Sequence, residues 1–352
     1  MSDGKSFDVL IVGAGPAGAS AARAAAMAGA NVVVIEKRRK IGEPVQCAEY
    51  IPRLLTREVK IPREAIAQEI QGMTTFIQES EIVRKRAPGF ILHRQEFDKA
   101  LAMEASKAGA KILTETKALS KKGNKVKTLN PSGEDEIESS VIIGADGPDS
   151  LVGSWIGQKN RKFMCAMQHT VILKQASYDT EVYFSREYPG GYAWLFPKGE
   201  TANVGVGVLS ELGGVAKQAL GAFKERIKDR IGDVIGITAG RIPVGGPLHS
   251  IDGGARIMLV GDAAGHTHAI TGGGIPLAVI CGAMAGRAAA AYSGGDKEAI
   301  QDYYYQWRAA FGAILDRAAR KREELVTGWS GSDLTELLKR CWVSFGEYYH
   351  DS

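Results

Sequence analysis

Three glycines near the amino terminus have the spacing of a phosphate-binding turn. Gly13, Gly15 and Gly18 form the pattern GxGxxG between an apolar segment and an alanine-rich one. In such a turn the first glycine allows a tight bend, the second lets a pyrophosphate approach the backbone, and the third packs helix against strand. Glu36 follows about 20 residues later, where a carboxylate can accept hydrogen bonds from a ribose. These residues predict a dinucleotide site, and a chance glycine turn is the alternative.

A second glycine-rich segment lies in the last third of the chain. Asp262 ends a short apolar run, and Gly274 and Ile275 follow at the start of a predicted helix. An aspartate at a strand end can bind the ribityl hydroxyls of a flavin, and a helix N-terminus beside it can stabilise negative charge on the reduced ring. A glycine-rich loop between core elements is the alternative. Together with GxGxxG, this segment favours FAD over NAD.

A single cysteine stands in a loop that follows the predicted cofactor strand. Residues 41–50 include Pro44 and Cys47 and break the pattern of strand and helix. A catalytic thiol is one interpretation of Cys47. An ordinary buried thiol, which is the usual state of a lone cysteine, is the other.

Aromatic residues alternate along a later segment, from Tyr192 to Phe196. Because successive side chains of a strand point to opposite faces, Tyr192, Trp194 and Phe196 are expected on one face. Such an apolar wall suits a flexible ligand that offers no hydrogen bonds. Domain core is the alternative for this segment.

Basic residues cluster only locally. The chain has 44 Lys+Arg and 40 Asp+Glu, a net charge of +4, which gives no global nucleic-acid signal. The run Lys37–Lys40 is either a solvated face or a contact for FAD phosphates, a donor protein or anionic lipid. Arg94 opens a predicted helix, where a surface salt bridge is one interpretation.

The composition indicates a protein of a reducing compartment. Its four cysteines include no CxxC pair, so neither a disulfide framework nor a metal site is predicted. The amino terminus lacks the pattern of a signal peptide, and no uncharged apolar run of about 18 residues predicts a spanning helix. We therefore expect a cytoplasmic protein with no nucleic-acid partner.

The elements that must position these residues indicate an α/β fold. Phe7–Val12, Pro16–Ala28 and Val32–Ile35 form a predicted βαβ unit, which implies a Rossmann-type domain with a parallel sheet. We predict four regions: residues 1–150, the first part of an FAD-binding domain with the cysteine loop 41–50; residues 151–250, an inserted antiparallel-sheet substrate domain; residues 251–295, the last part of the FAD-binding domain; and residues 296–352, a helical C-terminal tail. In that tail, apolar residues recur at helical spacing, namely Trp307, Phe311, Ile314 and Ala318.

Several motifs together resemble a known family. The GAGPAG turn with Glu36, GADG at Gly144–Gly147 and GDAAG at Gly261–Gly265 resemble the FAD-dependent hydroxylase superfamily. PVQCAE at residues 44–49 is similar to the Pro-Val-x-Cys-x-Glu loop of the geranylgeranyl reductase family. YAWLFP at residues 192–197 matches the Tyr-x-Trp-x-Phe-Pro signature of that family. The resemblance covers residues 7–330.

This resemblance implies an activity and a set of site residues. It implies reduction of C=C bonds in the polyprenyl (geranylgeranyl) chains of a lipid or quinone, with hydride from reduced FAD and a proton from an acid. Cys47 would be the catalytic residue beside the flavin, and Tyr192, Trp194 and Phe196 would line the apolar substrate tunnel. The residues expected to bind FAD are Gly13, Gly15, Ala17, Gly18, Glu36, Lys37, Cys47, Ala48, Arg94, Ala118, Asp262, Gly274 and Ile275.

Other functions and partners stay open at this stage. The alternatives are a flavin-dependent aromatic hydroxylase and a non-catalytic flavoprotein that relays electrons. Because no second GxGxxG unit marks an NAD(P) domain, the electron donor could be reduced ferredoxin, a deazaflavin or free NAD(P)H. A lipid substrate would allow peripheral contact with the inner face of the cell membrane. His266 and His268 replace less polar residues of the family and have no assigned role.

Overall fold

The computed structural model describes residues 5–78, 80–248, 256–331 and 333–350. It begins with the predicted βαβ unit, made of β1 (Lys5–Val12), α1 (Pro16–Met27) and β2 (Val32–Ile35). β1 pairs in parallel with β2. All four residues of β2 are buried, as expected for a strand of a parallel sheet that is covered on both faces.

The other elements form two sheets and the helices that cover them. The strands are β3 (Tyr50–Pro52), β4 (Ile66–Ile77), β5 (Ser80–Leu92), β6 (Lys111–Leu113), β7 (Lys117–Lys122), β8 (Lys125–Asn130), β9 (Gly133–Gly144), β10 (Phe163–Leu173), β11 (Asp179–Phe184), β12 (Tyr192–Lys198), β13 (Thr201–Val208), β14 (Ile231–Pro243) and β15 (Ile257–Leu259). The helices are α2 (Arg94–Lys107), α3 (Leu151–Trp155), α4 (Ala216–Arg226), α5 (Ile275–Ser293), α6 (Ala299–Trp307), α7 (Ala313–Gly328) and α8 (Leu334–Cys341).

The first sheet brings the predicted cofactor motifs to one edge. Its strand order is β6-β2-β1-β9-β8-β7, and β15 also pairs with β9. Strands β6, β2, β1, β9 and β15 are mutually parallel, so their carboxyl ends lie on the same side. The glycine turn follows β1, Glu36 follows β2 and Asp262 follows β15. The α/β class predicted from the sequence is confirmed.

The second sheet draws on more of the chain than the predicted region 151–250. Its order is β14-β10-β13-β12-β11-β4-β5-β3, so residues 50–92 supply three of its eight strands. These three strands lie outside the predicted region 151–250, and their partners in the sheet are far away in the sequence. β4 pairs in parallel with β11, while the other neighbours in this sheet are antiparallel. The boundaries at residues 150, 250 and 295 stay predictions.

The two faces of the second sheet pack against different partners. On one face, Ala193, Leu195 and the β13 valines form a core with α4. On the other face, Tyr192 and Trp194 cluster with residues of α7, α8 and the chain that follows α8. The C-terminal region therefore covers the face that carries the aromatic residues.

Helix α5 is a core helix of the first layer. By length and composition alone its 19 residues could cross a membrane. In this fold it lies directly on α1: a Cβ added to Gly282 would be 2.3 Å from the Ala17 carbonyl oxygen, and one added to Gly286 would be 2.1 Å from that of Ala21. The two glycines let the helix backbones approach this closely, because any residue with a Cβ would clash with α1 at these positions.

A π-helical turn shifts the apolar face of the C-terminal helices. Residues 308–312 form this turn between α6 and α7. An ideal α-helix would bury Ile314, but Ile314 is 53% exposed and Leu315 is 0% exposed. Because a π turn contains one more residue than an α-helical turn, the buried face moves by one residue along the chain. Ile314 therefore lies off the buried face despite its helical spacing from Trp307, whereas Trp307 and Ala318 are buried.

Candidate functional site

The glycine turn has space where a phosphate would lie. Gly13 has a φ of +103°, and a Cβ there would be 2.4 Å from the Ala145 carbonyl oxygen. A Cβ on Gly18 would be 1.9 Å from the Gly13 carbonyl oxygen, so this glycine packs α1 onto the turn. A Cβ on Gly15 would meet no atom within 4 Å, and no side chain caps the N-terminus of α1. Open space and free N–H groups at a helix N-terminus fit the pyrophosphate of FAD.

Glu36 lies over this turn at the end of β2. Its carboxylate accepts hydrogen bonds of 2.9 Å from the backbone N–H groups of Ala14 and Arg38. It is thereby held beside the glycines, where a ribose would follow the pyrophosphate. Lys37, next in the chain, is exposed. Ala118, on β7 of the first sheet, is buried in a core cluster.

Asp262 and the N-terminus of α5 form the second part of the cofactor site. Asp262 follows β15, and its carboxylate accepts a 2.7 Å hydrogen bond from the Thr267 hydroxyl. Burial raises the pKa of this carboxyl above its usual value, although Thr267 and Arg94 oppose the shift. A Cβ on Gly274 would lie 3.2 Å from Asp262 Oδ1, and no side chain caps α5. Ile275 begins α5 and packs in a core cluster against which Cys47 also lies.

The cysteine loop is bound to the second sheet. Gln46 donates to the Ala239 carbonyl oxygen, and Thr238 donates to the Val45 carbonyl oxygen, both at 2.7 Å. Gln168 of β10 donates a 3.1 Å hydrogen bond to the carbonyl oxygen of Cys47. The cysteine loop, which follows β2 in the chain, therefore lies against the face of the second sheet that carries Tyr192, Trp194 and Phe196.

The Cys47 thiol lies between a backbone donor and the partly buried guanidinium group of Arg94. The N–H of Glu49 donates to the sulfur at 3.1 Å. Burial raises the pKa of the thiol, while Arg94 acts in the opposite direction. Burial alone would lower the pKa of the Arg94 guanidinium, but Asp98 and Cys47 raise that pKa above its usual value. Near neutral pH the thiol is therefore protonated and able to give up a proton.

The aromatic row of β12 links the two loops. Tyr192, Trp194 and Phe196 lie on one face of the strand, as predicted, and Lys198 continues the same alternation. At one end the Tyr192 hydroxyl donates to the carbonyl oxygen of Thr271 in the glycine-rich segment. At the other end the ammonium group of Lys198 binds Glu49 in the cysteine loop.

Three polar or aromatic residues around Tyr192 and Trp194 were not identified from the sequence. Gln168 joins Cys47 to Trp194 through its amide, and Trp342 packs 5.4 Å from Tyr192, measured between ring centroids. Arg322 is buried and donates to the carbonyl oxygens of Gly190, Ala269 and Ile270. A signal for Arg322 existed, because it lies on the buried stripe of α7 that also includes Leu315, Ala318 and Leu325.

The two histidines have different environments. His266 is fully buried against Trp307, and neither ring nitrogen has a hydrogen-bond partner. Burial lowers its pKa to about 3. His268 accepts from the Thr271 N–H and contacts the Tyr348 hydroxyl, and burial lowers its pKa to about 4. Both rings are neutral at neutral pH.

Comparison with known proteins agrees with this cofactor site. Residues 6–203 match the family model described as FAD binding domain. The fold is also shared by a flavin-dependent brominase, with a TM-score of 0.73 at 19% identity, over 91% of this chain and 90% of that one. The protein is therefore an FAD-dependent flavoprotein, and FAD is its cofactor.

Two closer matches give the family. The chain is 38% identical to the digeranylgeranylglycerophospholipid reductase of Methanothrix thermoacetophila, over 94% of this chain and 90% of the relative. Its fold matches that of a geranylgeranyl bacteriochlorophyll reductase-like protein from Thermoplasma acidophilum, with a TM-score of 0.82 and 29% identity, over 96% and 97% of the two chains. The chain belongs to the geranylgeranyl reductase family, and it is an FAD-dependent oxidoreductase.

Proposed function

We propose that this protein reduces isolated C=C bonds in the geranylgeranyl chains of a glycerophospholipid or prenyl quinone. The observation that carries this proposal is the contact between the cysteine loop and the aromatic row. Gln168 hydrogen-bonds to the Cys47 carbonyl oxygen and to the Trp194 indole, so the backbone of the cysteine loop is joined to the apolar wall. An isoprenoid chain needs such a wall because it can be held only by apolar contact and shape.

Reduction of an isolated alkene requires a hydride at one carbon and a proton at the other. Bound reduced FAD supplies the hydride. Cys47 supplies the proton, since burial keeps the thiol protonated near neutral pH. Its sulfur accepts the N–H of Glu49, so the S–H proton is directed elsewhere. The cysteine is left as a thiolate and recovers its proton from water after turnover.

The aromatic row would orient the chain and exclude water. An isolated alkene has no carbonyl group to stabilise developing charge, so the bond must be held close to the hydride source in a dry site. Trp194 is 5% exposed and packs beside Tyr192 and Phe196. Ala48 of the cysteine loop packs against the same cluster.

We assign the FAD contacts to the N-termini of α1 and α5, which no side chain caps, and to the loops beside them. The glycine turn would hold the pyrophosphate, Glu36 the ribose, and Asp262 with the start of α5 the flavin end. The full set consists of Gly13, Gly15, Ala17, Gly18, Glu36, Lys37, Cys47, Ala48, Arg94, Ala118, Asp262, Gly274 and Ile275.

The electrons come from a separate donor, either reduced ferredoxin, a deazaflavin or NAD(P)H. The protein works in the cytoplasm and meets its lipid by peripheral contact with the inner face of the membrane. Stopped-flow reduction of the bound flavin by each donor identifies the one that reacts. Flotation with liposomes of the lipid tests the membrane contact, and protein that stays at the bottom contradicts it.

The activity is tested with the FAD-loaded protein, dithionite and digeranylgeranylglycerophospholipid. Mass spectrometry should show products heavier by the mass of two hydrogen atoms for each bond reduced. Cys47→Ala should keep its FAD and lose about 10²- to 10⁴-fold in turnover, the contribution of a positioned general acid. Turnover that is unchanged in this variant would reassign Cys47 to packing. A product that forms only with oxygen, or no lipid product with any donor, contradicts the proposed activity.

A further inference from the structure

Glu49 has an unusual backbone conformation beside the proposed catalytic cysteine. Its φ is +73°, in the left-handed region that residues other than glycine rarely adopt. In this conformation its N–H is aimed at Cys47 and donates to the sulfur at 3.1 Å. Backbone strain of this kind persists only where surrounding contacts hold it in place.

The side chain of Glu49 provides those contacts. It is 3% exposed, and its carboxylate accepts hydrogen bonds from the Arg94 N–H at 3.0 Å and from the Asn203 amide at 2.7 Å. The ammonium group of Lys198 completes the set. Both carboxylate oxygens are therefore satisfied, and a buried carboxylate with three donors has little freedom to move.

The donors belong to the strands that carry the aromatic row. Lys198 follows Phe196 on the same face of β12, and Asn203 of β13 is paired directly opposite Phe196. Asn203 also donates to the carbonyl oxygen of Ala48 at 3.3 Å. The position of the cysteine loop is thus fixed relative to the wall that would hold the substrate chain.

We propose that Glu49 is a positioning residue for Cys47, with Lys198 as its anchor. The anchored carboxylate holds the left-handed backbone, and that backbone holds the N–H against the sulfur. A sulfur that accepts this bond directs its own proton away from the loop. The inference rests on the proposed function only in the claim that this proton is delivered to the substrate.

The test is alkylation of Cys47 by iodoacetamide across a pH series, using FAD-loaded protein. A Cys165→Ser background removes the other partly exposed thiol. Arg94 and Glu49 are charged side chains that act on the Cys47 thiol. Lys198 binds the Glu49 carboxylate, so Lys198→Met loosens Glu49 while it leaves the residues of the cysteine loop unchanged.

Lys198→Met should move the alkylation profile to higher pH, because the N–H bond that favours the thiolate weakens. Its kcat should fall at least about tenfold, the equivalent of one lost charge-assisted hydrogen bond, while KM and FAD content stay near wild type. Lys162→Met removes a lysine–glutamate pair on the surface and should change none of these quantities.

Glu49→Gln provides a second measurement if Lys198→Met does not accumulate. It keeps the size of the side chain, but it has one carbonyl oxygen for three donors, so its kcat should also fall at least about tenfold. Wild-type kcat in Glu49→Gln overturns the proposal, as does a wild-type alkylation profile in Lys198→Met. If Cys47→Ala keeps full turnover while Lys198→Met still moves the profile, the proton-donor role fails and the positioning role stands.

Discussion

The indole N–H of Trp194 donates a 3.0 Å hydrogen bond to the amide oxygen of Gln168. The amide nitrogen of the same Gln168 side chain donates to the carbonyl oxygen of Cys47. One buried side chain therefore sets the spacing between the aromatic wall and the cysteine loop. Because both ends are engaged, neither side can shift without leaving a buried polar group unpaired.

Replacement of Gln168 by leucine tests this connection. Gln168→Leu should lower the free energy of unfolding by about 1–3 kcal/mol, because the Trp194 N–H and the Cys47 carbonyl lose their partner. Chemical denaturation of Gln168→Leu, Trp194→Phe and the double variant measures the coupling. The double variant should lose less than the sum of the single variants. Strict additivity would show that the hydrogen bond contributes no coupling.

Truncation of Trp194 tests the substrate wall. Burial of a large aromatic side chain is worth about 1.5–3 kcal/mol, so Trp194→Ala should raise KM for a prenyl lipid about ten- to a hundredfold. FAD content should stay near wild type, since no predicted cofactor contact involves this residue. Steady-state kinetics and the flavin absorbance measure the two quantities. Loss of FAD with unchanged lipid affinity would assign the row to domain core.

Two neighbouring glycines should respond differently to the same substitution. Gly18→Ala places a Cβ 1.9 Å from the Gly13 carbonyl oxygen and should reduce the yield of folded protein. Gly15→Ala meets no protein atom within 4 Å, so the fold should survive while FAD affinity falls. Circular dichroism and FAD titration separate the two effects. Equal FAD affinity in Gly15→Ala and wild type would place the pyrophosphate elsewhere.

Reversal of the charge at Glu36 should weaken FAD binding. Glu36→Arg removes the acceptor for the Ala14 N–H and the proposed ribose contact. We expect at least about a tenfold loss of affinity in a fluorescence titration, the equivalent of one charge-assisted hydrogen bond. Glu58→Arg, at an exposed position, should bind FAD like wild type. An unchanged affinity in Glu36→Arg contradicts the assignment.

His266 should make the fold sensitive to mild acid. Burial lowers the pKa of His266 from the ordinary 6.5 to about 3. The stability that the neutral buried ring contributes to the folded state is therefore present above pH 6.5 and is lost as the pH falls toward 3. Between about pH 7 and pH 5 this loss amounts to about 2 kcal/mol. His266→Phe should flatten the dependence of unfolding free energy on pH by that amount. An equally steep dependence in the variant would assign the acid sensitivity to other groups.

Local patterns in the sequence determined several features of the site. The βαβ unit and the spacing of Gly13, Gly15 and Gly18 follow from short-range geometry, since strand, turn and helix are adjacent in the chain. The same holds for Tyr192, Trp194 and Phe196, because the period of a strand places alternate residues on one face. The alternation also places Lys198 on that face, although its role was not apparent.

Tertiary structure alone decided which of these features meet. Gln168 lies 121 residues from Cys47, and Lys198 lies 149 residues from Glu49, so no local period relates either pair. They meet because β3, β4 and β5 join the second sheet and place the cysteine loop on its aromatic face. The burial of Leu315 instead of Ile314 had a similar origin, since the π turn breaks the helical period. Strand partners and helix register depend on packing of distant segments, which local sequence periodicity does not specify.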